Sequence, residues 1–159
     1  MTDMLVQLLK LPEVGPLIEE LRARDVIVRR ANSWELSRVR EFAAKRAVTW
    51  ADEASIGFAR QPVSVFIAVV DGEVAGFCAY ECTRRDYLGP MGVEENLRGR
   101  GVGRALLLAS LWSMSEMGYA YAIIGGVGPV EFYQKACGAV VIDGSERGVY
   151  VDMLRKRDE

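Results

Sequence analysis

No histidine occurs anywhere in this chain of 159 residues. That absence removes the Ser-His-Asp triad, the Cys-His dyad and every His-ligated metal site. Proton transfer must then fall to carboxylates, tyrosine, lysine, a thiolate, or water held by such groups. Cysteine is sparse and odd in number. Cys78, Cys82 and Cys137 make neither a disulfide scaffold nor a closely spaced ligand set, so no metal is expected. Cys78 and Cys82 would share a helix face, but their stretch reads as strand, and buried thiols are the simpler reading. Basic residues are not in excess either: 20 Lys and Arg stand against 22 Asp and Glu, a net charge of −2. The chain lacks the basic stripe of a nucleic-acid binder. No run reaches the roughly 18 apolar residues of a membrane span. The first apolar run, Met4 to Leu11, follows Asp3, is broken by Gln7 and Lys10, and has no small-residue cleavage site after it. It does not read as a targeting signal. The expectation is a cytoplasmic protein with no nucleic-acid or membrane partner.

What is present is an ordinary globular composition, half apolar and 26% charged. The length suits one domain that buries roughly 70% of its unfolded surface. Met4 to Leu11 predicts a short helix stopped by Pro12. A second helix starts at Pro16, the favoured first helical position for proline. Residues 1–24 thus read as a helical extension that either caps a sheet or buries a homodimer interface. Residues 25–159 read as one globular unit. In it, Asp25 to Arg30 is a strand, and Asn32 and Ser33 cap a helix from Trp34 to Val48. Thr49 to Gln61 is a shorter helix. Val63–Val70 and Val74–Cys82 are strands joined by the two-residue hairpin Asp71-Gly72. Tyr87 to Glu94 is a strand made irregular by Gly89-Pro90, because proline cannot donate to a ladder and glycine marks bulges. Gly101 to Met117 is a long apolar helix, Tyr119 to Ile124 a strand, and Pro129 to Cys137 a helix closed by Gly138. Val140–Ile142 and Gly148–Leu154 predict a last antiparallel pair. The strands flanking the long helix are expected to run parallel. The sum is an α/β fold: a mixed, mostly antiparallel sheet of six to seven strands with helices on both faces.

The chemistry concentrates where a strand gives way to the long helix, at Arg98-Gly99-Arg100-Gly101-Val102-Gly103-Arg104. A glycine-rich turn at a helix start leaves backbone N–H groups bare beneath the positive end of the helix dipole, a site suited to phosphate. Arginines at the rim can pair with phosphate oxygens. The P-loop pattern fails for lack of Gly-Lys-Ser/Thr. The dinucleotide pattern fails because its third glycine would fall on Arg104 or Leu106. What fits is Arg-x-x-Gly-x-Gly preceded by an aliphatic strand residue, Val93, and followed by Glu131-Phe132-Tyr133-Gln134-Lys135-Ala136-Cys137-Gly138-Ala139. These motifs resemble the GNAT superfamily of N-acetyltransferases over residues 25 to 154.

The resemblance implies a bulged central strand splayed from its neighbour, acetyl-CoA as co-substrate, and direct attack by the primary amine of a small molecule or peptide. It implies that Met91, Gly92 and Val93 pair with the pantetheine amides, with one freed N–H polarising the thioester carbonyl. Arg98 to Arg104 would hold the pyrophosphate. Gly126 and Pro129 hold the places where the family often has Asn and Ala, and the three glycines Gly125, Gly126 and Gly128 would instead let the backbone approach the pantetheine arm. Phe132 and Tyr133 complete the cofactor side, with Tyr133 as proton donor to the leaving thiolate unless it is a core or surface tyrosine. For the general base, Asp86, Glu81, Glu94 and Glu95 flank the splayed strand; solvated carboxylates and relayed water remain open. The acceptor cleft would draw on Trp50, Asp52, Glu53, Tyr80, Tyr87, Ser145, Glu146 and Arg147, acids and aromatics suited to a cationic amine. Two other classes stay open: a non-catalytic acyl-CoA-binding sensor or interaction module, and a binder of another phosphorylated ligand such as a nucleotide.

Overall fold

The computed structural model describes residues 1–155, so the last four positions of the expected 25–159 unit lie outside the described residues. The elements follow in order as β1 (Thr2–Gln7), α1 (Gly15–Arg22), β2 (Ile27–Arg30), α2 (Leu36–Ala44), α3 (Val48–Phe58), β3 (Val65–Val70), β4 (Glu73–Tyr80), β5 (Tyr87–Val93), α4 (Val102–Glu116), β6 (Tyr121–Val127), α5 (Val130–Cys137) and β7 (Val140–Val141). The seven strands form one sheet in the order β2-β3-β4-β5-β6-β1-β7. Every neighbouring pair is antiparallel except β5 and β6, which are parallel across the α4 crossover.

Two cores sandwich the sheet. On one face α4 lies almost fully buried, with Leu106, Leu107, Leu108, Leu111 and Met114 packed on Val28, Ala68, Cys78, Leu88 and Ile124. On the other face α2 and α3 bring Val39, Phe42, Ala51 and Ala54 against Val65, Ile67 and Phe77. This second layer covers β3 and β4 and reaches β5 through Trp50. Local signals act as expected at several joints. Asn32 and Glu35 form a reciprocal capping box ahead of α2, Asp71 and Gly72 both take positive φ in the β3–β4 hairpin, and Gly138 closes α5 in the left-handed region. Among the described residues no helix is long and apolar enough to cross a membrane.

Two expectations fail. Met4 to Leu11 is not a helix: its first half is β1, and only Leu8–Lys10 make a 3-10 turn. A short apolar run satisfies either period, and the tertiary partner decides. Here Met4, Val6 and Leu8 alternate inward at 0, 0 and 1% exposure, and β1 supplies the antiparallel partner that β6 lacks on its far side. Residues 2–7 are therefore an interior strand of the sheet. The last antiparallel pair is also absent. β7 is two residues long and pairs with β1, while Gly148–Leu154 forms no strand. The intervening loop is tied to β1 instead: Ser145 Oγ bonds Thr2 Oγ1 at 2.8 Å and receives the Asp3 N–H at 2.9 Å.

The interior place of β1 predicts a stability asymmetry. Met4→Ala should cost about 2–5 kcal/mol in urea unfolding, as core truncations do. Leu9→Ala, at a 76% exposed position, should change it by less than about 0.5 kcal/mol. Equal effects would contradict the interior strand.

Candidate functional site

The site begins with a ladder that stops. β5 pairs with β6 only at Tyr87↔Ile123 and Leu88↔Ile124. On its other side β5 stays bonded to β4 as far as Val93, and β6 stays bonded to β1 as far as Val127. From Gly89 onward the two parallel strands are each held by an outer neighbour and released from one another. Between them lies a slot lined by unpaired backbone groups of residues 89–93. Its cause is local. Tyr80 pairs with Leu88 and Cys78 with Met91, so the single residue Ala79 faces two, Gly89 and Pro90. That bulge raises the twist of β5 and turns it from β6.

The slot leads to the glycine turn. After a 3-10 turn at Glu95–Leu97, Arg98 is extended and α4 begins behind Gly101. Gly101 takes φ 87°, a conformation that side chains with a Cβ resist, and no side chain caps the helix. The first N–H groups of α4 are thus bare at the positive end of its dipole. Arg98, Arg100 and Arg104 are exposed around them. Val102 is different: it is buried and anchors the helix start in the core. A Cβ built on Gly103 would sit 3.6 Å from Phe132 Cζ, 3.6 Å from Val93 Cγ2 and 3.9 Å from Met91 Cε, so β5, α4 and α5 converge on one wall. Gly92 faces the other way, under Trp50 Cζ3 at 3.4 Å.

Tyr133 stands behind that wall. Its ring packs edge-on against Phe132 at 5.0 Å, and its side chain is buried. Burial, followed by the neighbouring Cys78 and Cys137 thiols, pushes its hydroxyl well above the ordinary tyrosine range. The group keeps its proton at neutral pH. Cys78 is itself pushed up to about 12 by burial, which leaves it an inert thiol.

Several expected site residues lie elsewhere. Tyr80 is in the core, 2% exposed; its hydroxyl accepts from Arg30 Nη1 at 2.7 Å, and Arg30 also reaches Ser113 of α4. A long inward strand position overrode its polar end. Glu81 is buried at the β4–β5 turn and accepts the Asp86 N–H at 2.5 Å. Asp86 carries φ 64°, and its Oδ1 is buried without a hydrogen-bond partner. Those two carboxylates are brought together with each other. They lie five positions, about 15 Å of strand, from Met91 and the Tyr133 side of the slot. Glu94 lies 3.8 Å from Arg46, and Glu95 is exposed. Asp52 pairs with Arg40 on the surface, and Glu53 accepts from the Thr83 hydroxyl.

The glycines of β6 also act differently. A Cβ on Gly125 would lie 3.0 Å from the Tyr87 ring, and one on Gly126 3.1 Å from the Tyr150 ring. The Gly126 N–H is donated to Asp3 Oδ1 at 2.8 Å. The space left by these glycines admits tyrosine rings on the α3 side of the sheet, and the Gly126 amide is already bonded. Asp3 and Tyr150 were not legible as site residues. Asp3 precedes a run that reads as helix, and Tyr150 falls in a segment that reads as strand. Among the described residues no group of three or more Cys, Asp or Glu side chains is placed to hold a metal.

Residues 61–136 match the family described as "Acetyltransferase (GNAT) domain". Solved structures share the fold at low identity. A GCN5-related glucosamine N-acetyltransferase region of a fungal multi-domain GH3 beta-N-acetylglucosaminidase is 14% identical, with a TM-score of 0.69, covering 89% of this chain and 19% of that one. A GCN5-related N-acetyltransferase from Sphaerobacter thermophilus is 20% identical, with a TM-score of 0.63, covering 89% and 48%. A Drosophila protein is 13% identical, with a TM-score of 0.60, covering 89% and 47%. The chain thus spans from about a fifth to about half of the length of those proteins. No curated protein matches the sequence.

The Asp86–Glu81 pair generates a pH prediction. Burial first, and the Glu81 charge second, push the Asp86 carboxyl up to about 6. An unfolded aspartate titrates near 4. Below that pH the proton is bound in both states. As pH rises from there through 6 the unfolded chain ionises while the native carboxyl resists, so native stability falls. Asp86→Asn should match the parent's urea midpoint near pH 3.5 and gain on it steadily up to about pH 7. A difference independent of pH would contradict this.

Proposed function

We propose that this chain, whose residues 61–136 match an acetyltransferase (GNAT) domain, is a member of that superfamily and transfers an acetyl group from acetyl-CoA to a primary amine. The observation that carries this reading is the slot between β5 and β6, which opens onto the bare amides of the glycine turn. A strand whose ladder stops has N–H and C=O groups to offer, and a pantetheine arm carries amides that can take the place of the missing strand. The turn at Gly99–Gly103 is the anion end of the same groove. Its backbone N–H groups and the exposed Arg98, Arg100 and Arg104 suit a pyrophosphate. The wall of Met91, Val93, Gly103 and Phe132 is apolar and close-packed enough to exclude water from the arm's path.

When bound, acetyl-CoA supplies a thioester carbonyl that a neutral amine attacks, forming a C–N bond as the C–S bond breaks. The chain's own part is positional and electrostatic. An unpaired N–H of residues 89–93 polarises the carbonyl oxygen. Tyr133, held protonated by burial, gives its proton to the departing sulfur and recovers one from solvent. The proton lost by the nitrogen passes to water on the open α3 side, where Trp50, Tyr87 and Glu146 border the approach.

Two measurements test the reading. Calorimetry should detect CoA binding, with amide resonances from Arg98 to Arg104 shifting; absence of both would remove the proposal. Tyr133→Phe should lower kcat by about 10²–10⁴ while leaving the acetyl-CoA Kd within about twofold. An unchanged kcat would take Tyr133 out of the reaction.

A further inference from the structure

Beside the slot, on the α3 side, lies a cavity of about 230 Å³ whose lining includes Asp3, Gly126, Glu146, Arg147 and Tyr150. Its floor is a carboxylate in an unusual position. Asp3 sits where β1 slips register against β6, between Thr2 and Met4, and such a bulge re-aims a side chain. The residue is 5% exposed, and Oδ1 accepts the Gly126 N–H at 2.8 Å. Among the described residues no Lys or Arg pairs with it. A buried carboxylate without a counter-charge is costly, and proteins keep one where a ligand completes it.

The loop after β7 is built to enclose that group. Ser145 fastens it to Thr2 and to the Asp3 N–H. Gly148 then passes so close that a Cβ there would lie 3.0 Å from Asp3 Oδ1 and 3.2 Å from Oδ2, at φ 51°. Tyr150 closes the side by stacking over Gly126. Met1 and Arg147 set two cationic groups against the carboxylates of Asp3 and Glu146 along the lining, so the pull on a cation comes from the one carboxylate that is buried and forms no ion pair among the described residues, Asp3. Gly125 and Gly126 connect the parts: they belong to the stretch of β6 released from β5, and they lie against the Tyr87 and Tyr150 rings.

We propose that this cavity is the acceptor subsite, that Asp3 draws in the acceptor's ammonium group through Oδ2 before that nitrogen gives up a proton to water and attacks as the neutral amine, and that the acceptor is a small primary amine. The inference rests on the acetyl-transfer reading above. A cavity of about 230 Å³ suits a small ligand better than a folded protein surface. Tyr150, in the lining, lends its ring to the cation.

The test uses the full chain, saturating acetyl-CoA, and three acceptors: 1,4-diaminobutane, 2-phenylethylamine and a lysine-containing hexapeptide. Release of the CoA thiol is the readout. At least one small amine should exceed the hexapeptide in kcat/KM by about tenfold or more. Asp3→Asn keeps an oxygen for the Gly126 N–H and removes the charge. It should raise the small-amine KM about tenfold or more, with the acetyl-CoA Kd within about twofold. Tyr150→Ala opens the wall and should narrow the gap between the hexapeptide and the small amines. An unmoved amine KM in Asp3→Asn, or a preference for the hexapeptide, overturns the subsite while normal acetyl-CoA binding leaves the reading beneath it standing. A parent protein that binds no acetyl-CoA strikes that reading instead.

Discussion

The parting of β5 from β6 after Leu88 and Ile124 organises this molecule. A parallel pair ordinarily continues as far as its strands do, because each lost rung leaves a donor and an acceptor without a partner. Here the loss is enforced from both sides. β4 holds β5 through Val93, and β1 holds β6 through Val127. Neither strand can relax toward the other without breaking bonds already made. The cost of those unpaired groups is what a ligand with amides of its own relieves.

Other features extend that arrangement. The bulge opposite Ala79 sets where the parting starts, and the glycine turn sets where the groove ends, at the positive pole of α4. On the α4 face of β5, Met91 and Val93 meet Gly103 and Phe132. On the opposite face, Gly92 lies under Trp50. In the proposed reaction the strand therefore separates a phosphate and thioester side from an amine side, which meet through the slot. With no imidazole in the chain, the buried and protonated Tyr133 hydroxyl is the group we propose as the acid.

The second layer of helices covers β3 and β4 and reaches β5 only through Trp50. Over β6 and β1 the α3 face is closed instead by the loop after β7, latched through Ser145 to the first strand. Residues nearly the whole chain apart thus share one wall. Tyr80, Glu81 and Asp86 show the complementary case. Sequence proximity to the splayed strand made them candidates, yet Tyr80 points into the α4 core and the two acids hold the β4–β5 turn.

By itself the sequence determined what depends on neighbours within a few residues. The Asp71-Gly72 hairpin, the Asn32–Glu35 cap, the bulge at Gly89-Pro90, the glycine turn before α4 and the Gly138 cap were legible because turn and cap chemistry is local. Those local signals sufficed for the fold class and for the bare helix start at Gly101. Only the tertiary structure decided the rest. Met4 to Gln7 is strand because β6 had a free edge to satisfy, and no window around Met4 contains that fact. Gly148–Leu154 is not strand because Ser145 and Tyr150 bind their loop to β1 and β6. Asp3 faces a cavity because a register slip and a distant glycine meet there. Long-range pairing is chosen by which partner is left unsatisfied when the sheet closes, and that is a property of the whole chain.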